Sequence, residues 1–359
     1  MRKWFLVSLT ALMVFCAAPG AKAQNWPPQP ITLINGFPPG GGDRGSRDQP
    51  IGASAVFDRN GLAQRITQFF SEKTGEDIGA ATWREAVNQR DWLGQPVTVE
   101  NRTGANGLIA AAAVAAARPD GYTLLLQTMS IAATSVVMPG VTLNFNPDRD
   151  LAQSVIIAGL DNLLYVSTKT PFTTVQEVID YARANPDKLT YGSSGVGSSY
   201  QLWAAQFTNM AGIRMVHVPF RGGPPAIAEI IAGRVDMMFG NLAEILPHIR
   251  SGAVRAIAFT SVPPSPVLPG VPTIAASGLP QFAADNWFGI AAPGATPRPI
   301  LERLNAEVNR ALQNPEVSQR LISLGYQPRG GTIEEMLATI QRDRAKWKGV
   351  IEANNIRAE

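Results

Sequence analysis

The sequence predicts an α/β protein built as two domains, and three observations lead to that prediction. Short apolar runs typical of strands alternate along the chain with runs of helical periodicity. A length of 359 residues is more than a single hydrophobic core usually organises. Polar loops rich in glycine and serine follow several of the predicted strands, which is where open α/β sheets bind ligands.

The first 23 residues are predicted to be a cleaved export signal. Arg2-Lys3 precedes an apolar run at 4–18, and Ala21-Lys22-Ala23 supplies the small residues that signal peptidase requires. The run is shorter than the roughly 20 residues that span a bilayer. Lipid attachment at Cys16 is not expected, because Phe15 stands where a small residue is needed. We therefore predict a periplasmic protein.

Cleavage before Gln24 changes both the charge and the cysteine content. Arg2, Lys3 and Lys22 account for the whole net charge of +3, so the mature chain is close to neutral. A neutral chain gives no reason to expect a nucleic acid or an anionic membrane as partner. The only cysteine, Cys16, leaves with the signal, so no disulfide is expected. No later apolar segment is long enough to span a membrane, and we predict a soluble mature protein.

The predicted elements alternate between strand and helix from residue 31 onward. Strands are predicted at 31–35, 95–100, 122–127, 155–160, 163–166, 190–192, 215–218, 235–239 and 255–260. Helices are predicted at 61–73, 108–118, 174–185, 199–211, 224–232, 299–313 and 333–353. Two polar, glycine-containing stretches, 43–59 and 75–91, break the alternation and are interpreted as surface excursions.

The sequence offers little enzyme chemistry. Its two histidines, His217 and His248, have no second ligand beside them at metal-binding spacing. Neither a G-x-S-x-G elbow nor a phosphate-binding P-loop occurs. A serine triad assembled in space stays open at this stage. We predict no catalytic residue, no metal site and no cofactor.

Five polar loops that follow predicted strands form the candidate binding site. They are Phe37-Pro38-Pro39-Gly40-Gly41-Gly42, Thr128-Met129-Ser130, the run Ser193-Ser194-Gly195-Val196-Gly197-Ser198-Ser199, Pro219-Phe220-Arg221-Gly222-Gly223 and Gly240-Asn241. Glycine lets the backbone approach a ligand, serine donates hydrogen bonds, and a following helix offers free N–H groups to an anion. Each loop alone could be an ordinary helix cap. Together they favour a site for a small anion that needs no lysine.

At these loops the sequence resembles the Bug family, the extracytoplasmic receptors of tripartite tricarboxylate transporters. The matching stretches occur in the family's order and cover nearly the whole mature chain. They are PITLI at 30–34, PPGG at 38–41, LGQPVTVENR at 93–102, GANG at 104–107, PDGYTL at 119–124, YGSSGVGS at 191–198, HVPFRG at 217–222, LPHI at 246–249, LPGVPT at 268–273 and WFG at 287–289.

The resemblance implies the fold, the ligand class and the partners. It implies a two-lobed periplasmic binding protein of the Venus-flytrap, type II-like kind, with crossing hinge strands near 155–160 and 255–260. Lobe 1 would comprise 24–154 and 256–359, and lobe 2 would comprise 155–255. The expected ligand is a small carboxylated solute, and the expected partners are the membrane permease subunits of a tripartite tricarboxylate-type transporter. The receptor itself is expected to be a monomer.

The resemblance also implies which residues line the cleft. From the first lobe they would be Pro39, Gly40, Gly41, Gly42, Asp58, Thr128, Met129 and Ser130. From the second lobe they would be Ser193, Ser194, Gly195, Gly197, Ser198, Ser199, Tyr200, Phe220, Arg221, Gly222 and Asn241.

Three departures from the family pattern fall beside this cleft. Residues 43–57 intervene after the glycine loop, so Asp43 or Asp58 could be the family's helix-initiating aspartate, and Leu62-Ala63-Gln64-Arg65 favours Asp58. Tyr200 stands where many members have histidine, and Gly240 stands where aspartate often precedes the asparagine. A relative's ligand can therefore not be transferred directly.

Two alternatives to a transport receptor remain. One is an exported α/β enzyme such as a hydrolase, which needs a positioned base and nucleophile in the cleft. The other is a receptor that signals through a sensor partner. A receptor needs only converging hydrogen-bond donors.

Overall fold

The computed structural model describes residues 26–27, 29–36, 97–102 and 104–358. The predicted signal at 1–23, the helix predicted at 61–73 and the stretches 43–59 and 75–91 lie outside the described residues. Among the helices of the described part, none is long and apolar enough to cross a membrane.

Eleven strands of the described chain form two sheets. They are β1 (Ile31–Asn35), β2 (Val97–Asn101), β3 (Thr123–Thr128), β4 (Leu151–Leu160), β5 (Asn162–Ser167), β6 (Thr190–Ser193), β7 (Val216–Pro219), β8 (Met237–Asn241), β9 (Val254–Phe259), β10 (Trp287–Pro293) and β11 (Tyr326–Gly330). The first sheet has the order β11-β4-β10-β3-β1-β2, and the second has the order β7-β6-β8-β5-β9. β1, β2 and β3 are parallel in the first sheet, as β6, β7 and β8 are in the second.

Helices connect and cover the strands. They are α1 (Leu108–Ala115), α2 (Ser135–Val137), α3 (Pro147–Asp150), α4 (Val175–Ala184), α5 (Ser199–Ala211), α6 (Gly223–Ala232), α7 (Leu242–Arg250), α8 (Arg298–Gln313), α9 (Pro315–Ser323) and α10 (Ile333–Ala353). Short 3-10 turns lie at Ala105–Gly107 and Ala275–Ser277, and a π-helical turn at Ser130–Thr134 leads into α2. α10 begins at a capping box in which Thr332 and Glu335 satisfy each other's backbone N–H groups.

The chain passes between the sheets at two places. Asp161 separates β4 of the first sheet from β5 of the second. The return runs from the end of β9 to the start of β10, through residues 260–286. The predicted boundaries at 154/155 and 255/256 therefore cut through β4 and β9, and each of these predicted crossing strands belongs to one sheet only.

The hydrophobic core is continuous from one sheet to the other. One cluster includes Trp203, Phe207 and Phe239 of the second lobe together with Trp287 and Trp347 of the first. Full burial of a side chain of this size stabilises a fold by about 2 to 3 kcal/mol. The C-terminal helix α10 carries Trp347 and contacts both α5 and the π-helical turn, so it packs against both lobes.

Most predicted elements agree with the structure to within a few residues, but several were missed. The strands β10 and β11 and the helices α3, α7 and α9 were not predicted. β10 is the most consequential omission, because it lies between β3 and β4 and joins the two halves of the first sheet. β4 begins at Leu151, earlier than the predicted start at residue 155, because β10 pairs with it from Leu151 onward and its polar residues Gln153 and Ser154 are buried.

Candidate functional site

The register of the strands places the loop-bearing edge of each sheet where the chain crosses between the sheets. In the second sheet, Asn162 at the start of β5 pairs with Asn241 at the end of β8. The chain therefore enters this sheet at the same edge that carries the loop after β8. In the first sheet, Thr128 at the end of β3 pairs with Phe288 near the start of β10. The loops after β3, β6, β7 and β8 therefore border one cleft.

Two contacts cross this cleft directly. The Asn106 Nδ2 donates to the Val196 carbonyl oxygen at 3.4 Å. A Cβ atom added to Gly197 would lie 2.9 Å from the Met138 Cε. Sequence reasoning missed both first-lobe partners, although Asn106 lies in the GANG stretch that carries the family resemblance.

Asn106 is positioned by an unusual turn ahead of α1. Gly104, Ala105, Asn106 and Gly107 all have positive φ, with values of 124°, 47°, 53° and 88°. A left-handed conformation costs an L-residue such as Ala105 roughly 1 to 2 kcal/mol. Such strain is retained where the surroundings impose it and is found at functional sites. Here it aims the Asn106 amide across the cleft.

The loop after β6 is tied down by its own hydrogen bonds. Ser193 Oγ accepts from the Gly195 N–H at 3.2 Å and donates to the Gly195 carbonyl oxygen at 3.1 Å. Ser198 caps α5 by accepting from the Gln201 N–H at 3.5 Å. Capping leaves the N–H groups of Ser199 and Tyr200 without intrahelical partners, and α5 has no acidic residue in its first turn. This helix terminus can therefore receive an anion.

His217 supports the same loop from β7. Its Nε2 lies 2.6 Å from Ser193 Oγ, and its Nδ1 lies 3.1 Å from Gln201 Nε2. Gln201 Oε1 accepts from the Gly197 N–H at 2.7 Å, which fixes the orientation of the amide. Gln201 therefore donates to Nδ1, and His217 donates through Nε2–H to Ser193.

This tautomer decides what Ser193 can do chemically. A general base must accept the proton of its nucleophile, whereas His217 donates to Ser193. Ser193 is also fully buried. Burial lowers the pKa of His217 from its ordinary value of 6.5 to about 4, so the ring is neutral at pH 7. The Ser193–His217 pair is a support for the loop and lacks the geometry of a hydrolase dyad.

The loop after β7 packs against the loop after β6. The Phe220 N–H donates to the Ser193 carbonyl oxygen at 3.0 Å, and the Gly222 N–H donates to the Ser194 carbonyl oxygen at 3.3 Å. The Arg221 side chain is exposed. Pro224 and Pro225 lack N–H groups, so Gly223 provides the free donor of the first turn of α6.

The loop after β8 places a carboxylate at the same edge. Glu244, in the first turn of α7, accepts from the Tyr200 hydroxyl at 2.9 Å and from Asn241 Nδ2 at 3.4 Å. A Cβ atom on Gly223 would lie 2.7 Å from Glu244 Oε2. The first turns of α5, α6 and α7 thus meet at Glu244. Burial raises the pKa of the Glu244 carboxyl, and the bonds from Tyr200 and Asn241 oppose that shift.

The first-lobe residues after β3 have mixed roles. Thr128 Oγ1 accepts from the Ile131 N–H at 3.3 Å, and Ser130 begins the π-helical turn. The Met129 side chain is fully buried, with its sulfur 3.1 Å from Trp347 Nε1, so it belongs to the core. Only its backbone is available to a ligand.

Five predicted first-lobe residues lie outside the described residues. They are Pro39, Gly40, Gly41, Gly42 and Asp58. The predicted second-lobe residues all lie on the loops or first helical turns of one sheet edge. They are Ser193, Ser194, Gly195, Gly197, Ser198, Ser199, Tyr200, Phe220, Arg221, Gly222 and Asn241. Sequence reasoning missed Glu244, Gln201 and the supporting role of His217.

Comparison with known proteins agrees with this architecture. Residues 83–356 match the profile described as the Tripartite tricarboxylate transporter family receptor. A protein encoded in the tcbD-tcbE intergenic region of Pseudomonas sp. strain P51 is 33% identical and covers 98% of this chain and 94% of its own. Protein BugT of Bordetella pertussis is 29% identical, with 96% of each chain covered.

Among solved structures, R. palustris Rpa4515 with adipate superposes with a TM-score of 0.73. The two sequences are 30% identical, and the alignment covers 92% of this chain and 99% of the other. The family match spans most of the chain and includes both sheets from β2 onward. The chain therefore belongs to the Bug-type receptors of the tripartite tricarboxylate transporter family, as the sequence predicted.

Proposed function

We propose that this protein is a periplasmic receptor that binds a small carboxylate between its two lobes and delivers it to the permease subunits of a tripartite tricarboxylate-type transporter. The observation that carries the proposal is the N-terminus of α5, whose free N–H groups at Ser199 and Tyr200 border the cleft. A partial positive charge of about half a unit at a helix N-terminus stabilises a carboxylate without a cationic side chain.

In this proposal the ligand is held mainly by the second lobe and covered by the first. Ser193 to Ser199 and Phe220 to Gly222 surround the carboxylate, and Asn106 and Thr128 close over it. The adipate bound by a relative of 30% identity supports a carboxylate as the ligand class. The chain acts as a monomer, and its leader is removed before Gln24 during export to the periplasm.

The alternative of an exported hydrolase has less support. The hydrogen-bond directions at Ser193 and His217 are those of a structural support. The family is described as a receptor, which is consistent with binding and release without chemistry.

Thermal shift of the mature protein against mono-, di- and tricarboxylates tests the proposal. A carboxylate present at a hundred times its Kd should stabilise the fold by about 2.7 kcal/mol and raise the Tm. Stabilisation by no carboxylate, together with turnover of an ester or amide panel, would refute the receptor and favour the hydrolase.

A variant pair on the two ends of α5 tests the location. Gly197→Asp puts bulk and negative charge into the loop at a position with φ of 75°, and we expect it to abolish binding. Gly212→Asp is the matched control, because Gly212 also has positive φ, of 62°, and a Cβ there meets nothing within 4 Å. Equal affinity in the two variants would show that the ligand lies elsewhere.

A further inference from the structure

Glu244 is an unexpected group for the edge of an anion site. Its carboxylate lies at the meeting point of α5, α6 and α7, hydrogen-bonded to the same Tyr200 whose backbone N–H is available to a ligand anion. In its ionised form, Glu244 repels a second ligand carboxylate. A pocket for a simple dicarboxylate would gain nothing from it.

Both carboxyl oxygens of Glu244 accept hydrogen bonds. Tyr200 and Asn241 both donate to it, one to each carboxylate oxygen. Among the described residues, Glu244 forms no ion pair with a lysine, arginine or histidine, and no cation contributes to its electrostatics. The ionised form of Glu244 therefore has no cationic side chain of the described chain beside it, and a ligand cation would supply that charge.

Two further oxygens beside Glu244 lack partners within the described residues. Asn241 Oδ1 is buried without a hydrogen bond, and so is the hydroxyl of Tyr165, a fully buried residue of β5. A Cβ atom on Gly240 would lie 3.2 Å from the Tyr165 hydroxyl, so that hydroxyl reaches the backbone next to Asn241. Unmade hydrogen bonds at buried groups cost free energy, which favours an occupant that donates to them.

Three neighbouring oxygens, one of them on a carboxyl group, match the hydrogen-bonding capacity of a primary ammonium group, which donates three hydrogen bonds and accepts none. We propose that Glu244, Asn241 and Tyr165 bind the ammonium group of an amino-carboxylate ligand, whose carboxylate lies at the N-terminus of α5. This inference rests on the proposed receptor function and specifies its ligand class.

The separation of the two subsites limits the ligand further. The Tyr200 side chain extends from its own backbone N–H, at the start of α5, to the carboxylate of Glu244, which its hydroxyl contacts. A ligand that carries its ammonium and carboxylate at opposite ends, as an ω-amino acid does, can contact both subsites.

Calorimetry on the mature protein with two matched ligand series tests the inference. The first series is butyrate, 4-aminobutyrate and succinate, and the second is hexanoate, 6-aminohexanoate and adipate. We expect the amino member of at least one series to bind at least about 10-fold more tightly than its two analogues, as for hydrogen bonds to charged groups.

Glu244→Gln should lower the affinity for that amino member by about 10- to 100-fold and raise the affinity for the diacid of the same length. Glu316→Gln is the matched control, since Glu316 is an exposed acid in the first turn of α9, in the other lobe, and should change neither affinity. If Glu244→Gln does not fold, Glu244→Ser is used for the same comparison.

The outcomes separate the two proposals. Tightest binding of a diacid, with the same ranking in Glu244→Gln, overturns the ammonium subsite and leaves the carboxylate receptor intact. Failure of all six ligands and of the wider carboxylate panel overturns both. Preference for an amino acid that Glu244→Gln removes supports both.

Discussion

Replacement of His217 by glutamine should flatten the dependence of stability on pH between about 4 and 6.5. His217 binds a proton near pH 6.5 in the unfolded chain but only near pH 4 in the folded protein. Between these values the unfolded state holds the extra proton, so acidification favours unfolding. The destabilisation begins as the pH falls below about 6.5 and is complete below about 4, whereas above pH 7 the residue contributes nothing to the pH dependence.

The magnitude follows from the change in pKa. The difference between 6.5 and about 4 corresponds to about 3 kcal/mol, at 1.36 kcal/mol for each pKa unit. The His217 ring is only partly buried, and solvent screening reduces the effect, so we expect about 1 to 2 kcal/mol. Protonation would also place an N–H of the ring against the amide donor of Gln201, which breaks the support of the loop.

Urea unfolding at a series of pH values from 4 to 7.5 measures this effect as the difference between wild type and His217→Gln. The difference is needed because Asp161 and Asp343, whose pKa values burial raises, stabilise the folded protein as the pH falls. Gln313→Asn, at an exposed residue without a titratable group, is the control and should give a curve parallel to that of the wild type. Parallel curves for wild type and His217→Gln across the whole range would refute the reasoning.

Two further predictions concern the turn ahead of α1. Ala105→Gly should stabilise the protein by up to about 1 kcal/mol in urea unfolding, because it relieves a residue held at a φ of 47°. Ala116→Gly, at a φ of −88°, should instead destabilise it, and stabilisation by both would show that backbone strain is not the cause. Asn106→Asp keeps a residue that tolerates positive φ but cannot donate to the Val196 carbonyl, so ligand affinity should fall by about 5-fold with the Tm nearly unchanged. Unaltered affinity in Asn106→Asp, measured by calorimetry, would mean that this contact does not hold the lobes together.

The elements that sequence reasoning predicted best have strong local signals. α10 was predicted with its observed ends, because Thr332 and Glu335 form a capping box ahead of a regular apolar stripe. α5 was predicted as well, because Ser198 caps its start and Gly212 ends it in a left-handed conformation. In each case the residues that define the element are close in sequence.

The elements that were missed depend on partners far along the chain. β10 contains Gly289, two alanines and Pro293, which are depleted in strands, and Ile290 is its one β-branched residue. It is a strand because β3 and β4 provide its hydrogen bonds on both sides. Glu244 was missed for the same reason, since its partner Tyr200 is 44 residues away and only the fold brings the two together.

In the proposed receptor, ligand binding and closure of the lobes are coupled through the same few residues. β5 starts at the edge that carries the binding loops, so the chain crosses between the lobes beside the site itself. Gly197 lies in the loop after β6, which we call the anion loop, where its N–H donates to Gln201. It also lies at the lobe interface, beside Met138. Its φ of 75° favours glycine, and a Cβ atom there would lie 2.9 Å from Met138 Cε, so a side chain at this position would displace the Met138 side chain. A larger residue there would distort the anion loop and also keep the lobes apart. Loss of binding in Gly197→Asp should therefore be accompanied by a more open molecule in solution scattering, whereas a mutation that harmed the anion loop alone would leave the closed dimensions unchanged.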